Sequence, residues 1–94
     1  MAPLNRIHLN GLRAVEAVAR LGSLSSAAGE LGVSASAVSQ QINRTERQLG
    51  LALFERTPSG LVLTDFGSQF ATRLGKGFRE LTQAVALADD ASHC

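Results

Sequence analysis

The sequence predicts a mostly α-helical fold: three helices and a two-stranded hairpin, followed by one long C-terminal helix. Three observations predict it. Apolar residues recur at helical spacing in three successive tracts separated by glycines. The period then changes once, around a Pro-Ser-Gly turn between Leu53 and Thr64. From Phe66 to Ala88, finally, a row of apolar residues repeats at spacings of four and three.

Residues 9–20, LNGLRAVEAVAR, place Leu9, Leu12, Val15, Val18 and Ala19 on one stripe, with Arg13, Glu16 and Arg20 elsewhere around the helix. The tract ends at Leu21-Gly22, and Ser23 stands where a second helix needs a hydroxyl to cap its free N–H groups. That second helix is short, Ser25 to Leu31, and rich in small residues that admit a close neighbour. Gly32 suits the left-handed position after its last residue, and Val33 is expected to tuck into the core as the chain reverses. Ser34 then caps a third helix from Ala35 to Leu49. Its Val38, Ile42 and Leu49 face inward, Gln40, Gln41, Asn43, Arg44 and Arg47 outward, and Gly50 closes it.

Two short apolar runs, Leu53-Phe54-Glu55-Arg56 and Leu61-Val62-Leu63-Thr64, flank Thr57-Pro58-Ser59-Gly60, which predicts a hairpin with a four-residue loop. Such a hairpin is marginal alone, so it must lean on the helices as a wing. Thr64 or Asp65 can cap the final helix, whose row is Phe66, Phe70, Leu74, Phe78, Leu81, Val85 and Ala88. The row approximates a heptad seam longer than the preceding domain can cover. Its outer part is expected to seek an identical helix from a second chain. The alternative is a terminal helix packed wholly on its own domain.

The totals limit what these elements can do. With 94 residues, 45% hydrophobic but only 4% aromatic, the chain builds one small core from Leu, Val, Ile and Ala. No segment approaches the roughly 20 apolar residues of a membrane span, and the N-terminus lacks a signal-peptide layout, so a cytoplasmic location is expected. The single cysteine, Cys94, permits no intrachain disulfide. His8 and His93 stand at opposite ends of the chain without partners at ligand spacing, so neither a metal nor a cofactor is expected. Catalysis finds no glycine-rich phosphate cradle, no Ser/His/Asp or Cys/His set and no pocketed carboxylate pair. Nine Lys plus Arg against eight Asp plus Glu leave a net charge of +1, so composition does not by itself point to nucleic acid.

The order of elements does. Helix, short helix, glycine turn, third helix and hairpin make a winged helix-turn-helix, in which the helix after the turn enters the major groove. Ser36, Ser39, Gln40 and Asn43 offer that groove short polar groups able to bond base edges, Gln and Asn suiting adenine. A merely solvated helix face would show the same polarity.

Several spaced blocks separate the two readings. Gly22-Ser23-Leu24-Ser25-Ser26-Ala27-Ala28, Leu31-Gly32-Val33-Ser34 and Ala37-Val38-Ser39-Gln40-Gln41-Ile42 closely resemble the N-terminal DNA-binding pattern of LysR-type transcriptional regulators. So do Leu49-Gly50, Leu53-Phe54 with Arg56, and Leu63-Thr64 with Gly67. The resemblance implies that residues 1–64 form the DNA-binding domain and 65–92 a linker and dimerisation helix carrying Phe66, Phe70, Leu74, Phe78, Leu81 and Val85. It implies that Ser25 and Ser26 approach phosphates, helped by the positive end of the second helix. Ser34, Ala35, Ser36, Ser39, Gln40 and Asn43 would lie at or near base edges, and Arg56, Thr57 and Ser59 on the wing beside backbone or minor groove. For Arg56 a structural ion pair is the alternative. Implied partners are a double-stranded, pseudo-palindromic operator and a second copy of the chain. A small-molecule effector is expected only for a longer parent, since the effector-binding domain is absent from this sequence, and binding would then be constitutive. The rival reading is a winged helix used only for protein interaction or dimerisation.

Four positions depart from the family pattern. Ala35 and Ser36 stand where Gln and Pro are frequent, removing one base-reading side chain. Thr45 precedes Glu46 where a Leu is common, putting a hydroxyl where core is expected. Ser59 replaces a second wing arginine, which weakens the wing's hold and predicts a shallow to moderate salt dependence.

Overall fold

Serine at two helix starts and glycine at three helix ends divide the chain into short helices that must turn sharply. The computed structural model describes residues 7–92, and His93 and Cys94 lie outside the described residues. In order come α1 (Leu9–Leu21), α2 (Leu24–Leu31), α3 (Ala35–Leu49), β1 (Phe54–Thr57), β2 (Gly60–Leu63) and α4 (Asp65–Ser92). Ser23 Oγ accepts the Ser26 N–H at 3.0 Å and Ser34 Oγ accepts the Ala37 N–H at 3.1 Å, so both serines cap as expected. Between these caps, Gly32 takes φ 71°, and its N–H donates to Ala28 at 2.9 Å. A side chain there would be strained, which makes this glycine the hinge of the helix-turn-helix.

The core is small and built largely from short side chains. Ala14, Val15, Ala17 and Val18 of α1, Ala27 and Ala28 of α2, Val38 and Ile42 of α3, and Leu53 form one buried cluster. α1 packs against α2, α3 and α4 at once, so its buried surface is wider than a single stripe. Two sequence expectations are corrected by this packing. Leu9, expected inside, is 56% exposed, while Ala14 and Ala17 join the core; Val33, expected to tuck in, remains 49% exposed. The turn at Gly32 carries Val33 past the core instead of into it.

Thr45 has a full explanation. It is 1% exposed, and its hydroxyl donates to the Gln41 carbonyl at 2.9 Å, which satisfies the polar group inside the core. Its Oγ1 occupies the space a Cβ on Gly11 would need, so the two residues fit each other across α1 and α3. Outside the core, Arg20 joins the α1 carboxylate of Glu16 at 2.8 Å to that of Glu30 on α2. The Glu16 and then the Glu30 hydrogen bonds raise the guanidinium's pKa, and the Arg20 bond lowers that of Glu30. All three are solvent-accessible, so this bridge orients α2 more than it stabilises it.

The hairpin pairs Phe54 with Leu63, Glu55 with Val62, Arg56 with Leu61 and Thr57 with Gly60. Thr57 and Gly60 are therefore strand residues, and the expected four-residue loop is in fact two residues, Pro58-Ser59. Proline fixes a negative φ, and the positive φ the reversal needs falls on Gly60, at 119°. Thr57 Oγ1 tightens the turn by donating to the Gly60 carbonyl at 2.8 Å and accepting the Ser59 N–H at 3.2 Å.

Between the expected caps of α4, the structure uses Thr64, whose Oγ1 accepts the Gly67 N–H at 2.9 Å. The same hydroxyl donates to the Ala52 carbonyl at 2.8 Å. α4 then runs 28 residues, about 42 Å. Phe66, Phe70 and Leu74 pack on the core, and the Phe66 and Phe70 rings lie 5.6 Å apart. Beyond Phe78 every residue of the helix is exposed, including Leu81, Val85 and Leu87.

Gly67 is buried where α4 crosses the chain before β1: a Cβ there would lie 2.8 Å from the Leu53 carbonyl carbon and closer still to its oxygen. Gly67→Ala is therefore expected to destabilise the domain by about 1–3 kcal/mol, as overpacking does. Gly29→Ala, on an open helix surface, should instead stabilise by up to about 1 kcal/mol. Urea unfolding of both variants checks this, and similar midpoints for the two would remove the close-approach argument.

Candidate nucleic-acid interface

Two helix starts and the wing supply the polar surface. At the start of α2, Ser23 caps and also donates to Ser26 Oγ at 2.9 Å, leaving the Ser26 hydroxyl proton directed elsewhere. Ser25 and Ser26 are both exposed. The first N–H groups of α2 have no intrahelical acceptor, and with the helix dipole they favour an anion.

Along α3, Ser34, Ala35, Ser36, Gln40 and Asn43 are exposed and Ser39 is half-buried. Ser36, Gln40, Asn43 and Arg47 follow one another at spacings of four, three and four, and so form one continuous outward row. Arg44 is exposed beside it. Ser34 has a divided role, since its Oγ already accepts the Ala37 N–H. Gln41, expected to point outward, is half-buried instead, with its side-chain oxygen buried and without a hydrogen-bond partner. Gln48 is in the same state, and nothing in the structure accounts for either oxygen.

The wing brings Arg56 to this helix. Ser39 and Asn43 share a cleft with Arg56, floored by Leu24, Ile42, Phe54 and Leu61. Strand alternation turns Glu55 to the other face, so the acid does not share the cleft with the guanidinium. Among the described residues both ion pairs belong to Arg20. Arg56 is exposed and takes no part in them. Thr57 is half-buried with its hydroxyl engaged inside the turn, whereas Ser59 is exposed at the tip. The structure thus joins Ser39, Asn43 and Arg56 around one cleft, places Ser36 and Gln40 on the exposed row of α3 that also carries Asn43, and sets Thr57 into the hairpin itself.

One residue of this region escaped the sequence reading. Glu46, on α3, accepts the N–H of Leu53 at 2.7 Å and that of Phe54 at 3.2 Å. Its acceptor role depends on donors seven and eight residues further on, at the start of the first strand, so no short-range rule exposes it. Among the described residues no group of His, Cys, Asp and Glu could hold a metal ion, and no helix is long and apolar enough to cross a membrane.

Residues 9–68 match the family model for the bacterial regulatory helix-turn-helix protein, lysR family. The chain is 44% identical over 86 residues to the HTH-type transcriptional activator AmpR of Providencia stuartii, covering 92% of this chain and 30% of that protein. It is 48% identical over 78 residues to the HTH-type transcriptional regulator TrpI of Pseudomonas aeruginosa, covering 83% and 26%. The chain thus spans less than a third of the length of these relatives. Among solved structures it resembles the BenM DNA-binding domain in complex with catB site 1 DNA, with a TM-score of 0.83 and 28% identity. That match covers 92% of this chain and 97% of the BenM chain.

Proposed function

The chain belongs to the lysR family of bacterial helix-turn-helix regulators, and on that premise we propose that it binds double-stranded DNA sequence-specifically as the reading head of a transcriptional regulator. The observation that carries the reading is the exposed row Ser36, Gln40 and Asn43 on α3, continuous with a cleft that Arg56 enters from the wing. A helix of this kind fits the major groove, where Gln and Asn side chains pair with adenine and serine with several acceptors. Ser25, Ser26 and the free N–H groups at the start of α2 take a phosphate. Arg56 and Ser59 reach the flanking backbone or minor groove. The partner DNA and the regulatory role are those of the relatives' names; the low net charge of +1 means that positioned groups carry the binding more than bulk charge does.

In this reading residues 1–64 are the DNA-binding domain and residues 65–92 pair two chains. Supporting the pairing is the apolar outer surface of α4, where Phe78 is half-buried and Leu81 and Val85 are exposed, too far along the helix for their own core to cover. Phe66, Phe70 and Leu74 orient that helix on the core and act in pairing only through it. A two-fold dimer would read a pseudo-palindrome with half-sites spaced by one or more helical turns. The protein works in the cytoplasm, where the bacterial chromosome is, and any small-molecule effector acts through a longer parent protein.

Selection from a random duplex pool tests the reading. The chain is expected to enrich a two-fold-symmetric site and to bind less tightly as salt rises; a pure protein-interaction module would do neither. Gln40→Ala should change the enriched bases, and an unchanged selected site would remove Gln40 from base reading.

Phe78→Glu and Val85→Glu are each expected to yield a monomer by sedimentation. Operator affinity should then fall by about a hundredfold or more as the two half-sites are no longer held together. An unchanged mass in both variants would refute pairing through α4.

A further inference from the structure

We propose that Glu46 is a positioning residue for the wing: its carboxylate fixes where Arg56 stands relative to Ser39 and Asn43. The proposal rests on the DNA-binding reading above. Glu46 is half-buried on α3 and accepts two consecutive backbone N–H groups, those of Leu53 and Phe54, at 2.7 and 3.2 Å. Phe54 opens β1, and Arg56 lies two residues further along the same strand face. Glu46, Phe54 and Arg56 line the same cleft as Ser39 and Asn43.

A two-stranded ribbon makes few contacts of its own and can pivot at its root. Here the root is held on both sides. Glu46 grips the N–H side of Leu53 from α3, while the carbonyl side of Leu53 accepts the Thr64 N–H at 3.0 Å at the start of α4. One acceptor oxygen that takes two consecutive N–H groups fixes both, so the hairpin's first strand keeps one register against α3. Gln keeps an acceptor of the same length without the charge. Asp keeps the charge but is one methylene too short to span the gap.

A second role for the same carboxylate would be simple repulsion of phosphate, since it sits in a cleft meant for DNA. The two roles predict opposite series. Positioning makes Glu46→Asp and Glu46→Ala weak and Glu46→Gln close to wild type. Repulsion makes Glu46→Gln and Glu46→Ala bind more tightly and leaves Glu46→Asp unchanged.

The test uses the duplex that the wild-type chain enriches from a random pool, with binding measured over a series of NaCl concentrations. Arg56→Ala in the wild-type background is expected to reduce the salt slope by about one per protomer, as loss of a phosphate contact does. Glu46→Asp is expected to reproduce that reduction and to leave little further effect for Arg56→Ala in the double variant, whereas Glu46→Gln is expected to keep the wild-type slope. Because Asp keeps the charge, a folded Glu46→Asp protein carries the comparison even where Glu46→Ala fails to fold. Tighter binding by Glu46→Gln, or an Arg56→Ala effect of full size in the Glu46→Asp background, overturns the positioning role while the DNA-binding reading stands. Absence of any duplex binding by the wild-type chain overturns that reading and this inference with it.

Discussion

The peptide unit of Leu53 is the junction on which the rest of the arrangement depends. Its side chain is fully buried in the core. Its N–H is taken by Glu46 of α3, its carbonyl by the Thr64 backbone, and the Gly67 backbone of α4 lies directly against that carbonyl. A buried peptide must have both its polar groups satisfied. In satisfying them, this one joins α3, the wing and the long helix into one body. A hairpin too small to stand alone thereby inherits the rigidity of the helices, and the direction in which α4 leaves the domain is set by the same contact.

Around that junction the packing is made from small residues. With four phenylalanines and no tryptophan or tyrosine in the chain, the buried cluster relies on Ala14, Ala17, Ala27 and Ala28 to bring backbones near one another. Close approach leaves little tolerance for added volume, since interiors are packed to near-crystalline density. The Gly11 and Thr45 pair shows this: the absence of a Cβ on one helix makes room for a hydroxyl on the next, and the hydroxyl stays satisfied by bonding within its own helix. Thr45, which from the sequence departs from the family pattern, is here a matched substitution within the core.

The electrostatics follow from position more than from number. Arg20 is committed to two carboxylates away from the wing. Arg44, Arg47 and Arg56 stand exposed around α3 and the cleft. The nearest acid in that cleft, Glu46, is occupied by two backbone N–H groups that offset part of its charge. A chain with almost no net charge can in this way present one locally basic surface beside helix starts that already favour anions.

Much of this was legible in the residues. Ser23 and Ser34 as caps, Gly32 as the hinge, α3 over Ala35 to Leu49, two strands about a proline turn and a long final helix all follow from local rules. Each rule needs only neighbours within about one helical turn. The outward polarity of Ser36, Gln40 and Asn43 follows from the same periodicity. Whatever depended on a partner far along the chain did not follow. Leu9 and Val33 are apolar yet stay outside the core, because only the packed positions of α2, α3 and α4 decide which apolar residues find cover. The choice of Thr64 as cap, the acceptor role of Glu46, and the point along α4 where core contact stops were fixed by tertiary contact. Sequence period determines which way a side chain points, but only the assembled fold determines whether anything stands there to meet it.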